Sequence, residues 1–556
     1  MKKIWVLLSG LLVGLLVIFA AIGCVRTPLR ASEFQTLMLP EQPSMKKLVY
    51  GRANDSITLD PANAIDGESF KVTRNIFDTL VQYEPEGGNL QPGLATSWKV
   101  SEDGRTWTFY LRRGVTFHDG SSFNADAVKF NFDRWMNPNH PYHQGKFNYW
   151  QYVFGGFPGL VEKVEVVSQY TIKVKLFKPY APFLASLALP AFGIASPQGI
   201  RHFGQEFGKF PVGTGPYRFK EWKKNNYILL EANDNYWANT VRLDKLKFKV
   251  ILNNKNRLKE LERGSIHLMD GLSPEDAERV KNNPKLQLYF RPSFNVGFLA
   301  MNNDKEPFNQ LKVRLAVSYA INKEKLVEKH FAGLAKPAKS LVPPSLWGFN
   351  EEVEPYPYDP ERAKQYLREA GYPEGFQTDL WVMSQPRPYF PQPSEIAKSI
   401  QEDLAAVGIE ADIRVFNWET YLEKVENGEH QLALLGWMGD IADPDNFLYV
   451  MLDKDNAQPG RASNIAFYRD ELIHYWLTEA REKTDQLFRS RLYRLVQEKV
   501  HEDAPLVPLV HITPALAANR AVKGYLPHIT GVESFASVNL VSRQDRILQA
   551  TPPGSQ

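Results

Sequence analysis

The sequence predicts an α/β protein of two or three lobes, and two observations lead to this fold class. The first is a strict alternation of predicted strands and helices between residues 377 and 438. Such alternation is typical of a parallel sheet with right-handed crossover connections. The second is length, since 556 residues exceed what one ordinary hydrophobic core holds.

The first half of the chain is predicted to begin with a strand and to continue through β-hairpins. Residues 48–53 are predicted as a strand, and 70–83 as a helix that leads into a second strand. Residues 98–100 and 106–111 flank a Ser-Glu-Asp-Gly turn, and the segments 161–167 and 171–177 repeat this hairpin pattern. The hairpin-rich section spans about 90–205.

The second half of the chain carries the alternating units. Strands are predicted at 377–383, at 409–416 and from 431 towards Asp440, with a helix from Ser394 and another after the cap residue Asn417 between them. Four apolar side chains share one face of the first helix: Ile396, Ile400, Leu404 and Val407. Further helices are predicted at 313–329 and 487–500, and a last strand at 506–512.

Two charged residues follow strands of this βαβαβ unit. Asp440 lies in the loop after the third strand, and Arg387 lies in the Pro-rich loop after the first. Because parallel strands bring their carboxyl ends to one edge of a sheet, where open α/β sheets bind ligands, both loops are expected on one rim. An anion and a cation there suit a small zwitterion such as a short peptide. The alternative is that both are solvated loop charges.

Several segments of the chain are distinctive as whole motifs. They are PRPYFP, NWETYL, GEHQLALLGWMGD and DPDNFL between 386 and 448, and LVPPSLWGFN, YDPERAKQYLREAGY, PVGTGPYRF and GVTFHDGSSFNADAVKFNFDR upstream of them. These segments resemble the periplasmic dipeptide-binding proteins, the solute receptors of peptide ABC importers in the extracellular solute-binding protein family 5. The resemblance extends from about residue 48 to about residue 519.

The resemblance implies a two-lobed periplasmic-binding-protein fold of class II, cluster C, with an extra subdomain in lobe one and a hinge of two chain crossings. Lobe one is predicted at 47–299 and 511–545, with the extra subdomain at about 90–205, and lobe two at 300–510. Closure of such a hinge around a ligand is the expected motion.

The resemblance also implies roles for individual residues. In the family, the aspartate at the position of Asp440 holds the peptide ammonium, and the arginine at the position of Arg387 holds the carboxylate. Further ligand contacts are implied for Tyr389, Trp418, Trp437, Met438, Gly439, Gly67 and Ser69. The aromatic residues among these are alternatively ordinary core. The turn at 63–69 departs from the family through Asp66 and Glu68, which suggests a preference for basic ligand side chains unless both acids are simply solvated.

The N-terminus predicts an exported protein. Lys2 and Lys3 precede an apolar run at 4–22, and the only cysteine, Cys24, follows it. This pattern indicates a signal peptide with a lipobox at 1–24, a lipidated Cys24, and a location in the periplasm or at the cell surface. The run approaches the ~20 residues that span a bilayer, so an uncleaved signal anchor is the alternative. Residues 25–46 are then a Pro-containing linker.

Composition and motifs argue against several function classes. The net charge of +3 is small, and no basic stripe with interleaved aromatic residues stands out, so nucleic acid is not predicted as a partner. The sequence has no G-x-S-x-G elbow, no H-E-x-x-H motif and no Walker loop, so no enzyme is predicted. His140 and His143 lack a nearby cysteine or clustered carboxylates, and neither a metal nor a cofactor is predicted.

The function that the resemblance implies is that of a monomeric, membrane-tethered receptor that binds dipeptides or short peptides and delivers them to an ABC transporter permease. A same-fold alternative is a receptor for longer peptides, glutathione, a nickel chelate or haem, because one fold hosts many ligands. An exported peptidase or other hydrolase is the alternative from a different class.

Overall fold

The computed structural model describes residues 45–84, 88–238, 241–292 and 294–541. The predicted signal peptide at 1–24, Cys24 itself and nearly all of the linker at 25–46 lie outside the described residues, as does the predicted end of lobe one at 542–545. Within the described ranges, no helix is both long and apolar enough to cross a bilayer.

The strands of the described residues fall into two runs along the chain. The first run is β1 Lys47–Arg52, β2 Val81–Tyr83, β3 Leu90–Pro92, β4 Ala95–Val100, β5 Thr106–Leu111, β6 Val161–Ser168, β7 Thr171–Leu176, β8 Tyr217–Lys223, β9 Tyr227–Ala232, β10 Lys245–Val250, β11 Leu268–Met269 and β12 Leu286–Phe290. The second is β13 Asn295–Met301, β14 Ala335–Pro337, β15 Phe376–Met383, β16 Ile409–Phe416, β17 Leu432–Met438, β18 Leu506–Ile512, β19 Ala515–Asn519, β20 Val522–Lys523 and β21 Asn539–Leu540.

The α-helices of the described residues are distributed along the whole chain, and those after β13 are on average longer. Those before β13 are α1 Gly67–Thr73, α2 Ala125–Met136, α3 Asn148–Phe154, α4 Phe183–Ser186, α5 Pro197–Phe203, α6 Asn254–Glu262 and α7 Pro274–Lys281. Those after it are α8 Leu311–Ala320, α9 Lys323–Phe331, α10 Pro360–Glu369, α11 Pro393–Ala405, α12 Trp418–Glu426, α13 Asp445–Leu452, α14 Glu471–Glu482 and α15 Gln486–Asp503. Short 3₁₀ helices lie at Pro190–Phe192, Gly204–Glu206 and Lys454–Asn456.

A six-stranded sheet in the order β14-β18-β13-β17-β15-β16 contains the predicted βαβαβ unit. β15 lies between β16 and β17 and is parallel to both. β13 closes the other side of β17 in antiparallel orientation and pairs with β18. The predicted parallel arrangement is therefore confirmed, and the loops after β15 and β17 leave the same edge of the sheet.

The two crossover helices follow from their local sequence. The predicted apolar face of α11 is buried, with Ile396, Ile400 and Leu404 at 0% exposure. The prediction that Ser394 caps this helix is wrong, because α11 already starts at Pro393, and Val407 follows the end of the helix at Ala405. α12 begins where predicted, because the Asn417 side chain accepts a hydrogen bond from the Thr420 N–H at 3.0 Å. Each helix therefore packs one face on the sheet and holds the strand ends in register.

A seven-stranded sheet, ordered β12-β19-β11-β1-β10-β9-β8, forms the core of the first lobe. β1 is parallel to both of its neighbours, β10 and β11, whereas all other strand pairs of this sheet are antiparallel. The predicted first strand is observed at Lys47–Arg52, and α1 starts three residues before the predicted 70. The inserted section contains a four-stranded antiparallel sheet, β4-β5-β7-β6, which confirms both predicted hairpins.

The chain passes between the two large sheets twice. β12 and β19 pair with each other in the seven-stranded sheet, and β13 and β18 pair in the six-stranded sheet. The crossings are therefore the segments that begin at Arg291 and at Thr513. This is the predicted two-lobed fold with a two-crossing hinge. The sheets change between 290 and 295 and between 512 and 515, while the lobe limits at 299 and 510 stay predictions.

Candidate functional site

The loop after β17 holds the backbone of Asp440 in a fixed position. The Gly439 N–H donates to the carbonyl oxygen of Phe294 at 2.8 Å. The Asp440 N–H donates to Oδ1 of Asn446 at 2.9 Å, and the indole Nε1 of Trp437 donates to the same oxygen at 3.3 Å. One amide at the start of α13 thus ties the end of β17 to the loop.

The carboxylate of Asp440 is exposed rather than buried in the core. Water reaches it, since the residue is exposed, yet the surrounding protein desolvates it and raises the pKa of Asp440 to about 6. The Tyr149 hydroxyl on α3 donates to Oδ1 at 3.4 Å and acts on this pKa in the opposite direction. Among the described residues, Asp440 pairs with no cation.

The segment that follows Asp440 is anchored by a buried ion pair. Nη1 and Nη2 of Arg489 lie 2.8 and 2.7 Å from the two carboxylate oxygens of Asp443. Arg489 also donates through Nε to the carbonyl oxygen of Ala480 at 2.6 Å. Arg489 and Asp443 are 5% and 3% exposed, so this pair is sheltered from water and holds the loop onto α15.

Residues of the first lobe contact this loop and its neighbour α14. The Tyr83 hydroxyl accepts from the Ala442 N–H at 3.1 Å and donates to the carbonyl oxygen of Ala185 at 2.7 Å. The Ala181 N–H donates to the carbonyl oxygen of Arg481 at 2.6 Å. Together with Tyr149, these contacts bring the inserted section against the lobe that carries Asp440.

The loop after β15 presents Arg387. The main chains of Arg387 and Phe390 exchange two hydrogen bonds of 3.0 Å, which fold the Pro-rich loop back on itself. The guanidinium carbon of Arg387 lies 3.4 Å from the ring centroid of Trp418, in a cation–π contact. Within the described part of the chain, Arg387 forms no ion pair, and its buried Nε has no hydrogen-bond partner.

The two charges thus occupy one rim of the six-stranded sheet without neutralising each other. They follow neighbouring parallel strands, in which Leu380 pairs with Leu432 and Trp381 with Ala433. No ion pair joins Asp440 to Arg387 in the described ranges. The rim therefore offers one anion and one cation at separate positions, which is what the two ends of a zwitterion require.

The other predicted residues of this rim differ in accessibility. Trp418 and Trp437 are half-buried, and Met438 is 43% exposed at the end of β17. Tyr389 is only 5% exposed, and its ring occupies the space that a Cβ on Gly436 would need, with Cγ at 2.4 Å. Tyr389 therefore packs mainly under β17, and the three other side chains present surface at the rim.

Gly67 and Ser69 lie in the first turn of α1, in the opposite lobe. The Ser69 hydroxyl donates to Asp66 at 2.6 Å and accepts from the Ile57 N–H at 3.0 Å. Ser69 is fully buried, so its polar atoms serve the start of α1. Space around the Cα of Gly67 is open, because a Cβ there would meet no atom within 4 Å.

The two acids of this turn are engaged within the protein. Asp66 caps α1 by accepting from the Ser69 N–H at 2.8 Å. Glu68 forms an ion pair with Lys71 at 2.9 Å, and Lys71 also pairs with Asp270. These partners do not favour the idea that Asp66 and Glu68 select basic ligand side chains.

Sequence reasoning missed the lobe-one residues that approach Asp440. Tyr149 and Asp440 are 291 positions apart, and Tyr83 and Ala442 are 359 apart. The ring of Tyr149 also packs edge-on against Phe70 of α1, with centroids 5.3 Å apart. Tyr149 is one of several tyrosines in an aromatic-rich section, and no local pattern singles it out.

One group in the described residues has ligand atoms close enough to hold a metal ion. Asp453, Asp455 and His474 offer atoms within 4.8 Å of one another. Nδ1 of His474 lies 2.9 Å from Asp453, and the Asp455 N–H donates to Asp453 at 2.9 Å. These contacts link the 3₁₀ helix to α14, which gives the group an ordinary structural role away from Asp440.

Comparisons with known proteins agree with this architecture. The family model described as bacterial extracellular solute-binding proteins, family 5 Middle, matches residues 89–459. The heme-binding protein A of Haemophilus influenzae is 35% identical over 512 residues, which cover 89% of this chain and 93% of that protein. The dipeptide-binding protein of Escherichia coli is 35% identical over 508 residues, which cover 89% and 95%.

A solved structure shows the same likeness. It is that of the ABC transporter-associated periplasmic binding protein DppA from Helicobacter pylori in complex with peptide STSA. The TM-score is 0.72 at 36% identity, and the match covers 89% of this chain and 98% of that one. The family model and both relatives span most of this chain, so the chain belongs to the bacterial extracellular solute-binding proteins of family 5.

Proposed function

We propose that this chain is the substrate-binding protein of an ABC importer and that it binds dipeptides or short peptides by their charged termini. Asp440 holds the ammonium and Arg387 holds the carboxylate. One observation carries this proposal: the two charges follow adjacent parallel strands, and neither has an ion-pair partner among the described residues. Trp418, Trp437, Met438, Gly439 and Gly67 complete the proposed surroundings of the ligand, with Tyr389 packed beneath this rim and Ser69 supporting the start of α1.

Enclosing a peptide between lobes has an energetic cost for the charges of the ligand as well as for those of the protein. A peptide enclosed between lobes loses water around both of its charges, and each then needs an oppositely charged partner to offset a penalty of several kcal/mol. A zwitterion is the smallest ligand that neutralises Asp440 and Arg387 together. The peptide ligand named for the Helicobacter pylori relative and the dipeptide-binding relative from Escherichia coli support the same class.

Haem is the main competing ligand, because one relative carries that name. Haem carries carboxylates but no ammonium, so it leaves Asp440 unneutralised. Glutathione and longer peptides do carry an ammonium and remain same-fold alternatives. We also propose that the protein acts as a monomer and catalyses no reaction, since a single chain supplies both charges and its relatives are solute-binding proteins.

Native mass spectrometry of the purified full chain tests the ligand class directly. We expect a co-purified mass in the range of a dipeptide or short peptide, and calorimetry should then give saturable binding of a synthetic dipeptide. A haem absorbance band that persists through purification, without any dipeptide binding, contradicts the proposal. Prolonged incubation with peptide, followed by mass analysis, separates binding from hydrolysis.

The affinity for dipeptides is expected to fall in acid because of Asp440. Desolvation raises the pKa of this carboxyl to about 6 in the free protein, and only the carboxylate attracts an ammonium. The unfolded-state pKa is lower, so the contribution of this group to folding stability is largest in acid and is lost as the pH rises through about 6. Dipeptide affinity changes in the opposite direction. It should be about tenfold weaker at pH 5 than at pH 7, in proportion to the deprotonated fraction.

Calorimetric titrations between pH 5 and pH 7.5 measure this dependence. The variant Asp440→Asn keeps the size of the side chain and removes the titration, so its weaker binding should not change over the same interval. Equal affinity of the wild-type protein at pH 5 and pH 7 contradicts the role given to Asp440.

We further propose that the folded part is exported and tethered to the membrane through a lipidated Cys24. Family membership supports an extracytoplasmic location. Cys24 is the only cysteine of the chain and follows the apolar run at 4–22. Metabolic labelling with a fatty acid should mark the wild-type protein and leave Cys24→Ser unlabelled. Unlabelled wild-type protein that retains residues 4–22 points to the signal anchor instead.

A further inference from the structure

A cavity lies in the lobe of the seven-stranded sheet, and neither Asp440 nor Arg387 is among its lining residues. Its volume is about 670 Å³, within the range of small-molecule sites. Four parts of the chain contribute lining residues: the end of α1, the strands β2 and β3, the residues Tyr236, Ala238 and Arg242 before β10, and the segment between β20 and β21. The polar groups that matter here are Arg74, Gln82, Gln91, Arg242 and His528.

The charge of this cavity is positive. Arg74 and Arg242 line it, and none of its described lining residues is acidic. Two buried acids adjoin lining residues and are both engaged. The Asp78 carboxylate accepts from Tyr236 at 3.1 Å, Trp237 at 2.8 Å and Thr214 at 2.9 Å. Glu533, next to Ser534, is paired with Arg291. Asp78 is 1% exposed and bonded on both oxygens, so a ligand in the cavity does not meet a free carboxylate.

Arg74 is positioned but not neutralised. It follows α1 directly, is half-buried, and donates through Nη2 to Oε1 of Gln82 at 2.8 Å. Gln82 is held in turn, because its Nε2 donates to the carbonyl oxygen of Pro92 at 3.2 Å. Within the described ranges, Arg74 forms no ion pair, so most of its five N–H donors remain available.

Arg242 is the second cation of the cavity wall, and the histidine of the wall is neutral. Arg242 is exposed and has neither a side-chain hydrogen bond nor an ion pair among the described residues. His528 is 8% exposed, and burial, followed by the charges of Arg74 and Arg291, lowers its pKa to about 3, so this side chain is neutral. Two guanidinium groups therefore face a polar cavity whose interior offers them no anion.

We propose that this cavity binds a small dianion, a dicarboxylate or a phosphate, through Arg74 and Arg242. Arginine suits both groups because its planar fork matches two oxygens of a carboxylate or phosphate. The site differs from the proposed peptide site in ligand charge, since it supplies two cations and no anion. Its occupancy does not depend on whether the rim binds peptides.

Calorimetry on the full chain tests the proposal, with inorganic phosphate and succinate as separate probes at constant ionic strength. The titrations are made with and without a saturating dipeptide. A probe that binds at Arg387 competes with the dipeptide and loses its binding when the dipeptide is present. We expect saturable binding of at least one probe with one site per chain. The probe that binds then distinguishes phosphate from dicarboxylate as the natural chemistry.

The variants Arg74→Gln and Arg242→Gln should each weaken this binding by at least about tenfold, because each removes a charge-assisted contact. Arg263→Gln is the matched control, since Arg263 is exposed in the same lobe and does not line the cavity. Should Arg74→Gln prove unstable, Arg242→Glu carries the test, because it reverses an exposed charge. The proposal is overturned if neither probe shows saturable binding, or if the double variant with Arg74→Gln and Arg242→Gln binds the probe as the wild-type protein does.

Discussion

Asp440→Ala and Arg387→Ala are each expected to weaken dipeptide binding by tens to thousands of times. Truncating one partner of an enclosed charge pair costs roughly 2–5 kcal/mol, much of which is the penalty of leaving the other charge unpaired. At about 1.4 kcal/mol per factor of ten, this range gives the expected losses. Isothermal titration calorimetry with one dipeptide and both variants is the measurement.

Exposed charges of the same sheet provide the controls. Asp412 and Arg414 lie on β16, and their side chains are 79% and 55% exposed. Asp412→Ala and Arg414→Ala should therefore leave dipeptide affinity unchanged. Similar losses in all four variants would mean that the net charge of the lobe, rather than two specific contacts, governs binding.

Modified ligands assign each charge to one end of the peptide. N-acetylation removes the ammonium and should abolish binding to the wild-type protein, whereas Asp440→Ala should discriminate far less against the acetylated ligand. C-terminal amidation should act in the same way through Arg387. If an N-acetylated dipeptide binds the wild-type protein as tightly as the free dipeptide, Asp440 is not the ammonium partner.

Arg489→Ala is expected to lower the stability of the second lobe by about 3–5 kcal/mol, because it leaves a buried carboxylate without its partner. That carboxylate is Asp443, which is 3% exposed and bonded to Arg489 through both oxygens. Asp443 lies three residues after Asp440, so the variant should also weaken dipeptide binding. Differential scanning calorimetry measures the first effect and titration the second.

The control for this variant is an exposed pair in which an arginine also contacts a carboxylate through two nitrogens. Arg279 contacts Glu262 through Nε at 2.7 Å and Nη2 at 2.6 Å, but its side chain is 54% exposed. Arg279→Ala should cost no more than about 1 kcal/mol, because water replaces the lost partner. Equal losses in the two variants would show that burial is not what makes the Asp443–Arg489 pair important.

Local patterns in the sequence were sufficient to predict the second lobe in detail. The predicted strand at 409–416 is observed at Ile409–Phe416, and the predicted cap residue Asn417 starts α12. Both depend on signals that act over a few residues: alternating or continuous apolar runs, cap side chains and turn residues. The strict alternation then allowed only a parallel arrangement, which put the loops of Asp440 and Arg387 on one rim.

Local patterns were less informative where the same residue type fits either of two structural roles. The helical pattern at 313–329 is divided into α8 and α9, because Asn322 caps a new helix by accepting from the Lys325 N–H at 2.9 Å. Ser69 is predicted to contact the ligand, but its hydroxyl is bonded to Asp66 and Ile57. A polar residue in a turn has the same appearance in a sequence whether its partner is a ligand or the main chain.

The sequence by itself determined the fold class, the order of the elements around the rim and the two charges placed on it, because these follow from short-range periodicity and from strand–helix alternation. Only the tertiary structure decided what surrounds those charges. Tyr149 reaches Asp440 across 291 positions, Tyr83 reaches Ala442 across 359, and Arg489 neutralises Asp443 across 46. Such contacts depend on how the lobes and the inserted section pack, and no short-range pattern encodes that packing. Burial then sets the chemistry, since desolvation by the surrounding protein raises the pKa of Asp440 to about 6, while the hydrogen bond from Tyr149 acts in the opposite direction.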